Sequence, residues 1–197
     1  MRQEPNKKVL LSRRQSFVDP KLQAGFWSIY SQLGSGPDSV LSSEEGLLRG
    51  DKVVCSISNG NSVEARKKDI PREVREILLP KAIGLLFPRL VDINKQMGYT
   101  FAEYSSGKNT FNMRSFTVLG PEWIDIRGKR ILAVKATDQP YLEAQPAELW
   151  LGKNGRVLRC KSANNIIESS TQQQVLRYFP KANLYVGEIS KLGKHKK

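Results

Sequence analysis

The sequence predicts an α+β fold, a strongly curved antiparallel β-sheet (an open half-barrel) covered by a helical layer. Three observations predict it. Segments of strand-like composition, separated by turn residues, fill most of the chain from Tyr99 onward. The segment 71–97 carries apolar residues at helical spacing. A hairpin centred on Asn154-Gly155 separates apolar from polar side chains, which is typical of an antiparallel sheet with one buried face.

The first half of the chain contains three predicted strands. Residues 25–33 are rich in aromatic and β-branched side chains, which favour extended structure. Residues 52–58 and 62–67 flank Asn59-Gly60-Asn61, a sequence that adopts the positive φ angles of a tight turn. These two segments therefore predict a hairpin.

The helical segment begins near Asp69, which can cap a helix, and Pro71, which is tolerated in a first turn. Pro80 and Pro88 predict kinks rather than one straight helix. The stripe has spacings of three and four and is expected to cover the sheet; it comprises Val74, Ile77, Leu78, Ile83, Leu86, Leu90, Ile93 and Met97.

The second half predicts a series of strands joined by short turns. They are expected at 99–105, 110–119, 122–126, 130–137, 147–152, 156–162 and 166–169. Thr171 can cap a short helix over 172–178, and 184–189 form one more candidate strand.

A two-residue turn at Asn154-Gly155 predicts the register of its hairpin. It pairs Leu151 with Leu158, Trp150 with Arg159, Leu149 with Cys160 and Glu148 with Lys161. One face is then apolar and the other polar, and a shift of one residue would destroy this separation. Trp150 and Arg159 are expected to form a cation–π pair worth about 0.5–1 kcal/mol. Stacking of a ligand on Trp150 is the alternative.

The net charge of +13 is concentrated at the two ends of the chain. Residues 1–14 and 190–197 each carry a net charge of +4. We therefore expect a basic N-terminal arm at 1–20, a single α+β domain at 21–189 and a basic tail at 190–197. Such tails bind phosphate groups without sequence preference, or only keep a protein soluble.

Composition excludes most histidine-dependent catalysis and every histidine-rich metal site, and leaves paired carboxylates as the remaining catalytic option. His195 is the only histidine, and Cys55 and Cys160 are the only cysteines, too few ligands for a zinc site. They are expected to be buried thiols, with a disulfide as the alternative. The glycine-containing loop 34–38 lacks the arrangement of a phosphate-binding loop. The sequence thus predicts no enzyme, no cofactor and no transmembrane segment.

Residues 99–170 resemble a known family in their order of strands and turns. The segments Arg114-Ser115-Phe116-Thr117-Val118, Gly120-Pro121-Glu122 and 148–159 (ELWLGKNGRVLR) carry the likeness, with 128–130 and 133–136. They are similar to the strand meander of bacterial extracytoplasmic proteins with one curved sheet, such as the lipoprotein-localisation carriers. The resemblance implies a hydrophobic cavity for an acyl chain and a periplasmic location. The N-terminus shows no legible signal peptide, so the chain is expected to be either cytoplasmic or a segment of a longer exported protein, and the resemblance slightly favours the periplasm.

The leading hypothesis is a non-enzymatic binding or scaffold domain that accommodates a hydrophobic or acyl ligand, or a lipid, between sheet and helices. The predicted ligand-binding residues are Leu86, Leu90, Ile124, Leu149, Leu151, Leu158 and Cys160. The same residues could instead form a filled core. The alternative function is electrostatic binding of nucleic acid or an anionic surface by the basic termini, although nucleic acid is the less favoured partner. A module that contributes an interface to a protein partner is the third hypothesis.

Overall fold

The computed structural model describes residues 10–19, 24–34, 39–81 and 83–171, together with residues 173, 174 and 177. Two compact units divide between Ile70 and Pro71, and each is built on its own β-sheet. The predicted strand 184–189 and the basic tail 190–197 lie outside the described residues, as does most of the predicted helix 172–178. The domain limits near residues 20 and 189 therefore stay predictions.

The first unit contains a five-stranded antiparallel meander in which each strand pairs with the next. Its strands are β1 (Leu10–Val18), β2 (Ala24–Leu33), β3 (Val40–Arg49), β4 (Lys52–Asn59) and β5 (Ser62–Asp69). The hairpin predicted around residues 59–61 is confirmed. Asn59 is the cross-strand partner of Ser62, and Gly60 has a φ of 60°, a conformation that glycine adopts without steric cost.

The buried face of this sheet is centred on Trp27, which is 2% exposed. Its indole lies over Gly46 on the neighbouring strand, so closely that a Cβ at Gly46 would be 2.0 Å from the ring. The indole Nε1 donates a hydrogen bond of 2.6 Å to the Glu44 carboxylate. Cys55, the partner of Gly46 on the next strand, is also buried. The Trp27 indole therefore occupies the space that a side chain at Gly46 on the neighbouring strand would fill.

The second unit contains a seven-stranded sheet in the order β12-β11-β10-β9-β8-β7-β6. Its strands are β6 (Leu78–Leu79), β7 (Gly98–Ser105), β8 (Thr110–Ile126), β9 (Lys129–Gln139), β10 (Ala147–Leu151), β11 (Val157–Ser162) and β12 (Asn165–Glu168). The strand β6 runs parallel to β7, and the other neighbours are antiparallel. The predicted separation of 110–119 from 122–126 is wrong, because β8 is continuous through both.

The predicted α+β fold, a strongly curved sheet covered by a helical layer, is also wrong. The described chain is nearly all β and its strands form two sheets. The segment expected to be a helical cover contains α1 (Arg72–Arg75), α2 (Ile83–Leu86) and a single 3₁₀ turn, Phe87–Arg89. Pro80 and Pro88 explain the breaks, because each lacks an N–H donor and its ring clashes with a preceding helical turn.

Helical spacing in this segment consequently does not produce one buried stripe. Ile83 and Phe87 are buried, whereas Leu86, Leu90 and Met97 are exposed. The Phe87 ring packs on Phe101 with 4.2 Å between ring centroids. One 3₁₀ turn thus supplies an aromatic side chain to the core of the sheet.

The described residues of the second unit include two apolar clusters. The first comprises Phe87, Phe101, Phe116, Val118, Ala136, Leu149 and Leu151. The second comprises Ile124, Ile126, Ala133 and Trp150, with Ile131 and Leu158 packed against it. A β-bulge in β8 accounts for the division. Val118 pairs with Ala136 and Gly120 pairs with Lys135, so Leu119 is an extra residue that inverts the alternation of side chains beyond it.

The hairpin at Asn154-Gly155 follows the predicted register in three pairs, Trp150–Arg159, Leu149–Cys160 and Glu148–Lys161. Asn154 and Gly155 have positive φ of 58° and 68°, but the predicted two-residue turn is wrong, because the Gly152 N–H donates to the Arg156 carbonyl and the loop between them has three residues, Lys153–Gly155. The fourth pair is wrong, because Leu151 pairs with Val157 after a register shift. Leu151 therefore belongs to the first cluster and Leu158 packs against the second.

No helix in the described part of the chain combines the length and the apolar composition needed to cross a membrane.

Candidate functional site

A cleft of ≈ 470 Å³ lies in the second unit, beside the first apolar cluster. The loop before β7, the bulge of β8, the middle of β9 and the turn between β10 and β11 surround it. Its lining residues are Ile93, Asn94, Gln96, Val118, Gly120, Pro121, Leu132, Ala133, Val134, Leu151, Gly152 and Lys153. This volume lies within the range of about 300–1,000 Å³ that is typical of small-molecule sites.

The β8 bulge and the loop before β7 form one wall of the cleft. The Val118 N–H donates to the Met97 carbonyl at 2.9 Å, which attaches the loop to the strand. Gly120, with a φ of 123°, lies so close to Gln96 that a Cβ would be 2.5 Å from the Gln96 Nε2. Earlier in the loop, the Asn94 N–H donates to the Asp92 carboxylate at 3.1 Å. Glycine at the bulge thus leaves space for the Gln96 side chain at the edge of the cleft.

An apolar track continues from the cleft along the sheet. Leu151 pairs with Val134, and Val134 pairs with Pro121, so these three side chains project from one face. Trp123 and Leu132 are the next pair on this face, and they are 56% and 53% exposed. Exposed aliphatic and aromatic groups beside a cleft offer contact area to an apolar ligand.

Lys153 is the only charged residue among the described residues that line the cleft. It is exposed and forms no ion pair with any other residue in the described ranges. Gln96 is likewise exposed and forms no hydrogen bond within those ranges. The site thus combines an apolar interior with an amide and an ammonium group at its margin.

The residues predicted from the sequence to bind a ligand occupy four different environments. Leu151 lines the cleft. Leu149 and Cys160 lie in or against the first cluster, whereas Ile124 and Leu158 belong to or pack against the second. Leu86 and Leu90 are 47% and 57% exposed. The structure therefore does not gather the seven at one place, and their role in binding stays a prediction.

Sequence reasoning misses most of the cleft. Pro121, Leu132 and Gln96 reach it only because the bulge and the loop bring distant segments together. The available signal is Gly120-Pro121 inside a strand pattern, since glycine and proline within a strand often mark a bulge.

The predicted cation–π pair is confirmed on the opposite side of β10. The Arg159 guanidinium lies 5.7 Å from the centroid of the Trp150 ring, and the Lys135 Nζ lies 5.3 Å from it. The Trp150 Nε1 also donates to Glu122 at 3.1 Å. Trp150 is 7% exposed, so these neighbours leave little of its ring accessible to a ligand.

Salt bridges extend across the same strands. Glu148 accepts from Lys135 at 2.9 Å and lies 3.4 Å from Lys161, as the predicted register requires. The hydrogen bond from Lys135 lowers the pKa of Glu148, and the same contact raises the pKa of Lys135. These charges therefore stabilise one another and the alignment of β9, β10 and β11.

A second group of charges lies beside the first cluster. Arg114 donates to both oxygens of Asp138, at 2.8 and 2.6 Å, and to Glu103 at 2.9 Å. Its hydrogen bonds with these carboxylates raise the pKa of Arg114 against the opposing effect of burial. All three side chains are at most 24% exposed. The group is internally satisfied and links β7, β8 and β9.

Cys55 and Cys160 are not bridged to each other; Cys55 is buried as predicted, whereas Cys160 is only partly buried. Burial raises the pKa of Cys160, and the nearby Asp138 raises it further. Within the described ranges, no three metal-ligating side chains lie together. Of the terminal charges behind the alternative function, Arg13 and Arg14 lie in β1, whereas the others, at residues 1–8 and 190–197, lie outside those ranges.

No protein-family model matches the chain. No curated protein matches it at the level required for a significant comparison. A solved structure does match: the β-barrel-like protein of the domain of unknown function DUF1849 from Brucella abortus. Its TM-score is 0.52 with 10% sequence identity, over 84% of this chain and 74% of that one. At this identity the likeness shows the fold alone: the chain shares a β-rich architecture with that protein.

Proposed function

We propose that the second unit is a non-enzymatic binding domain for a linear amphipathic ligand, a fatty acid or acyl group with an anionic head. The cleft of ≈ 470 Å³ between the β8 bulge and the β10–β11 turn is the observation that carries this proposal. The likeness to a β-barrel-like fold and the resemblance to lipoprotein-localisation carriers are compatible with it.

The apolar part of the ligand is expected to follow the track from Leu151 and Val134 to Leu132 and Trp123. These side chains alternate along adjacent strands and project from one face, which provides a continuous surface several residues long. Leu132 and Trp123 are each more than half exposed without a ligand, so covering them gains free energy. Each buried methylene contributes about 0.8 kcal/mol.

The head group is expected at the margin formed by Lys153 and Gln96. Lys153 supplies the positive charge and Gln96 supplies an amide donor, and neither is engaged by another described residue. A carboxylate or phosphate group can form an ion pair with Lys153 and accept a hydrogen bond from the Gln96 amide. An exposed ion pair of this kind is worth about 0.2–1 kcal/mol, so the head selects the orientation more than it determines the affinity.

The test is a chain-length series measured by titration calorimetry on the full chain, with dodecanoate, tetradecanoate and hexadecanoate. Affinity is expected to rise about tenfold for each added pair of methylenes. Leu132→Ser is expected to weaken hexadecanoate binding. Leu142→Ser is the matched control, because Leu142 is 70% exposed but lies outside the cleft.

The head group is tested by comparing hexadecanoate with hexadecanol. Lys153→Gln is expected to weaken hexadecanoate binding about threefold and to leave hexadecanol binding unchanged. Affinity that does not depend on chain length, or equal losses in Leu132→Ser and Leu142→Ser, would refute the proposal.

A further inference from the structure

The first unit carries an exposed apolar row on the face opposite Trp27. Phe17, Phe26, Leu47 and Val54 are successive cross-strand partners on β1 to β4, so their side chains project from the same face. They are 66%, 39%, 44% and 44% exposed. A contiguous apolar surface of this kind marks an interaction site more often than an isolated exposed leucine does.

Cationic side chains lie at the β5 end of this exposed row and in the row beside it. Lys67 is the partner of Val54 on β5, and Arg49 and Lys52 form the adjacent pair on the same face. All three are exposed, and none forms an ion pair with another residue in the part of the chain that the structure describes. In the row of Arg49 and Lys52, Asp69 is the partner of Lys52 on β5 and Asp19 lies beside Ala24 at the β1 end, so the three cations outnumber the two described carboxylates of these two rows.

We propose that this face docks on the surface of an anionic lipid bilayer. The four apolar side chains enter the boundary between head groups and acyl chains, and the three cations meet the phosphates. Burial of apolar side chains and attraction to anionic lipid are the two contributions that hold proteins at such an interface. The arrangement on this face supplies both at the same place.

Charge and side-chain shape disfavour two other partners for this face, a second copy of the chain and single-stranded nucleic acid. A second copy of the chain, packed face to face, would bring like charges from Arg49, Lys52 and Lys67 towards each other. Single-stranded nucleic acid binds through bases stacked on aromatic rings, whereas Leu47 and Val54 in the centre of the row are aliphatic.

The test is co-sedimentation of the full chain with phosphatidylcholine vesicles, prepared with and without phosphatidylglycerol. Binding is expected mainly with phosphatidylglycerol. Lys67→Gln is expected to lower the partition coefficient about fivefold. Its matched control is Lys129→Gln in the second unit, which removes the same charge from an exposed site. Phe26→Ser is expected to lower partitioning about tenfold, with Leu142→Ser as its control.

The control variants also distinguish bilayer binding by this face from bilayer binding by the basic termini. If the termini alone bind the bilayer, Lys67→Gln and Lys129→Gln have equal effects and Phe26→Ser has none, which overturns the proposal. Equal binding to neutral vesicles overturns it too, as does a dimer or an oligonucleotide complex that Phe26→Ser abolishes. Urea midpoints equal to that of the parent chain establish that the variants remain folded.

Discussion

Replacement of Gly155 by alanine tests how the β10–β11 turn is held against the rest of the second unit. Gly155 is buried with a φ of 68°, and a Cβ would be 1.8 Å from the Pro88 carbonyl oxygen. The left-handed conformation costs alanine about 1–2 kcal/mol. The clash is with backbone, so the turn or the 3₁₀ segment must move, which costs a further 1–3 kcal/mol or so. The free energy of unfolding should therefore fall by about 2–5 kcal/mol.

Gly128→Ala separates these two costs. Gly128 has a φ of 75°, and nothing lies within 4 Å of a Cβ built there. It should therefore lose only the conformational part, about 1–2 kcal/mol. Urea titration followed by tryptophan fluorescence measures both variants. Equal losses in Gly155→Ala and Gly128→Ala would refute the reasoning, because the contact with Pro88 would then cost nothing.

Three further predictions follow from close contacts and charges. Gly46→Ala should destabilise the first unit by about 1–3 kcal/mol and alter the near-ultraviolet circular dichroism, because its Cβ would overlap the Trp27 indole. Arg114→Met should lower the free energy of unfolding by about 2–4 kcal/mol in urea titration, because it leaves two largely buried carboxylates unpaired. Lys135→Met should raise the pKa of Glu148 towards its ordinary value in an NMR titration, since the Lys135 hydrogen bond lowers it. A lowered pKa stabilises the fold above the unfolded-state pKa, and this contribution is lost as the pH falls through the folded-state value.

Each of these has a control in the chain. Gly50→Ala has a positive φ but an open Cβ position, so it should leave the tryptophan signal unchanged. Lys95→Met removes an exposed partner of Asp92 and should cost under about 1 kcal/mol. Lys129→Met removes a charge away from Glu148 and should leave its pKa in place. Losses equal to those of the test variants would contradict the proposed contacts.

Sequence patterns located the hairpins because turn chemistry is local. Residues 59–61 form the expected turn, and three cross-strand pairs of the second hairpin have the predicted register, although its loop has three residues, Lys153–Gly155, instead of two. The predicted helical layer is wrong because Pro80 and Pro88 break a helix whatever the apolar pattern around them. Strand β3 is missed because the polar residues 42–45 interrupt its apolar alternation.

The sequence by itself determined where the chain turns, that its second half is antiparallel, and that Trp150 lies beside Arg159. Only the tertiary structure decided which face each side chain occupies and where a cleft forms. One extra residue at Leu119 inverts the alternation of β8, and a register shift beside Leu151 directs Leu158 to the other cluster. The physical reason is that successive side chains of a strand project from opposite faces. A shift of one residue therefore moves every later side chain to the other face, and the apolar pattern of the sequence does not reveal such a shift.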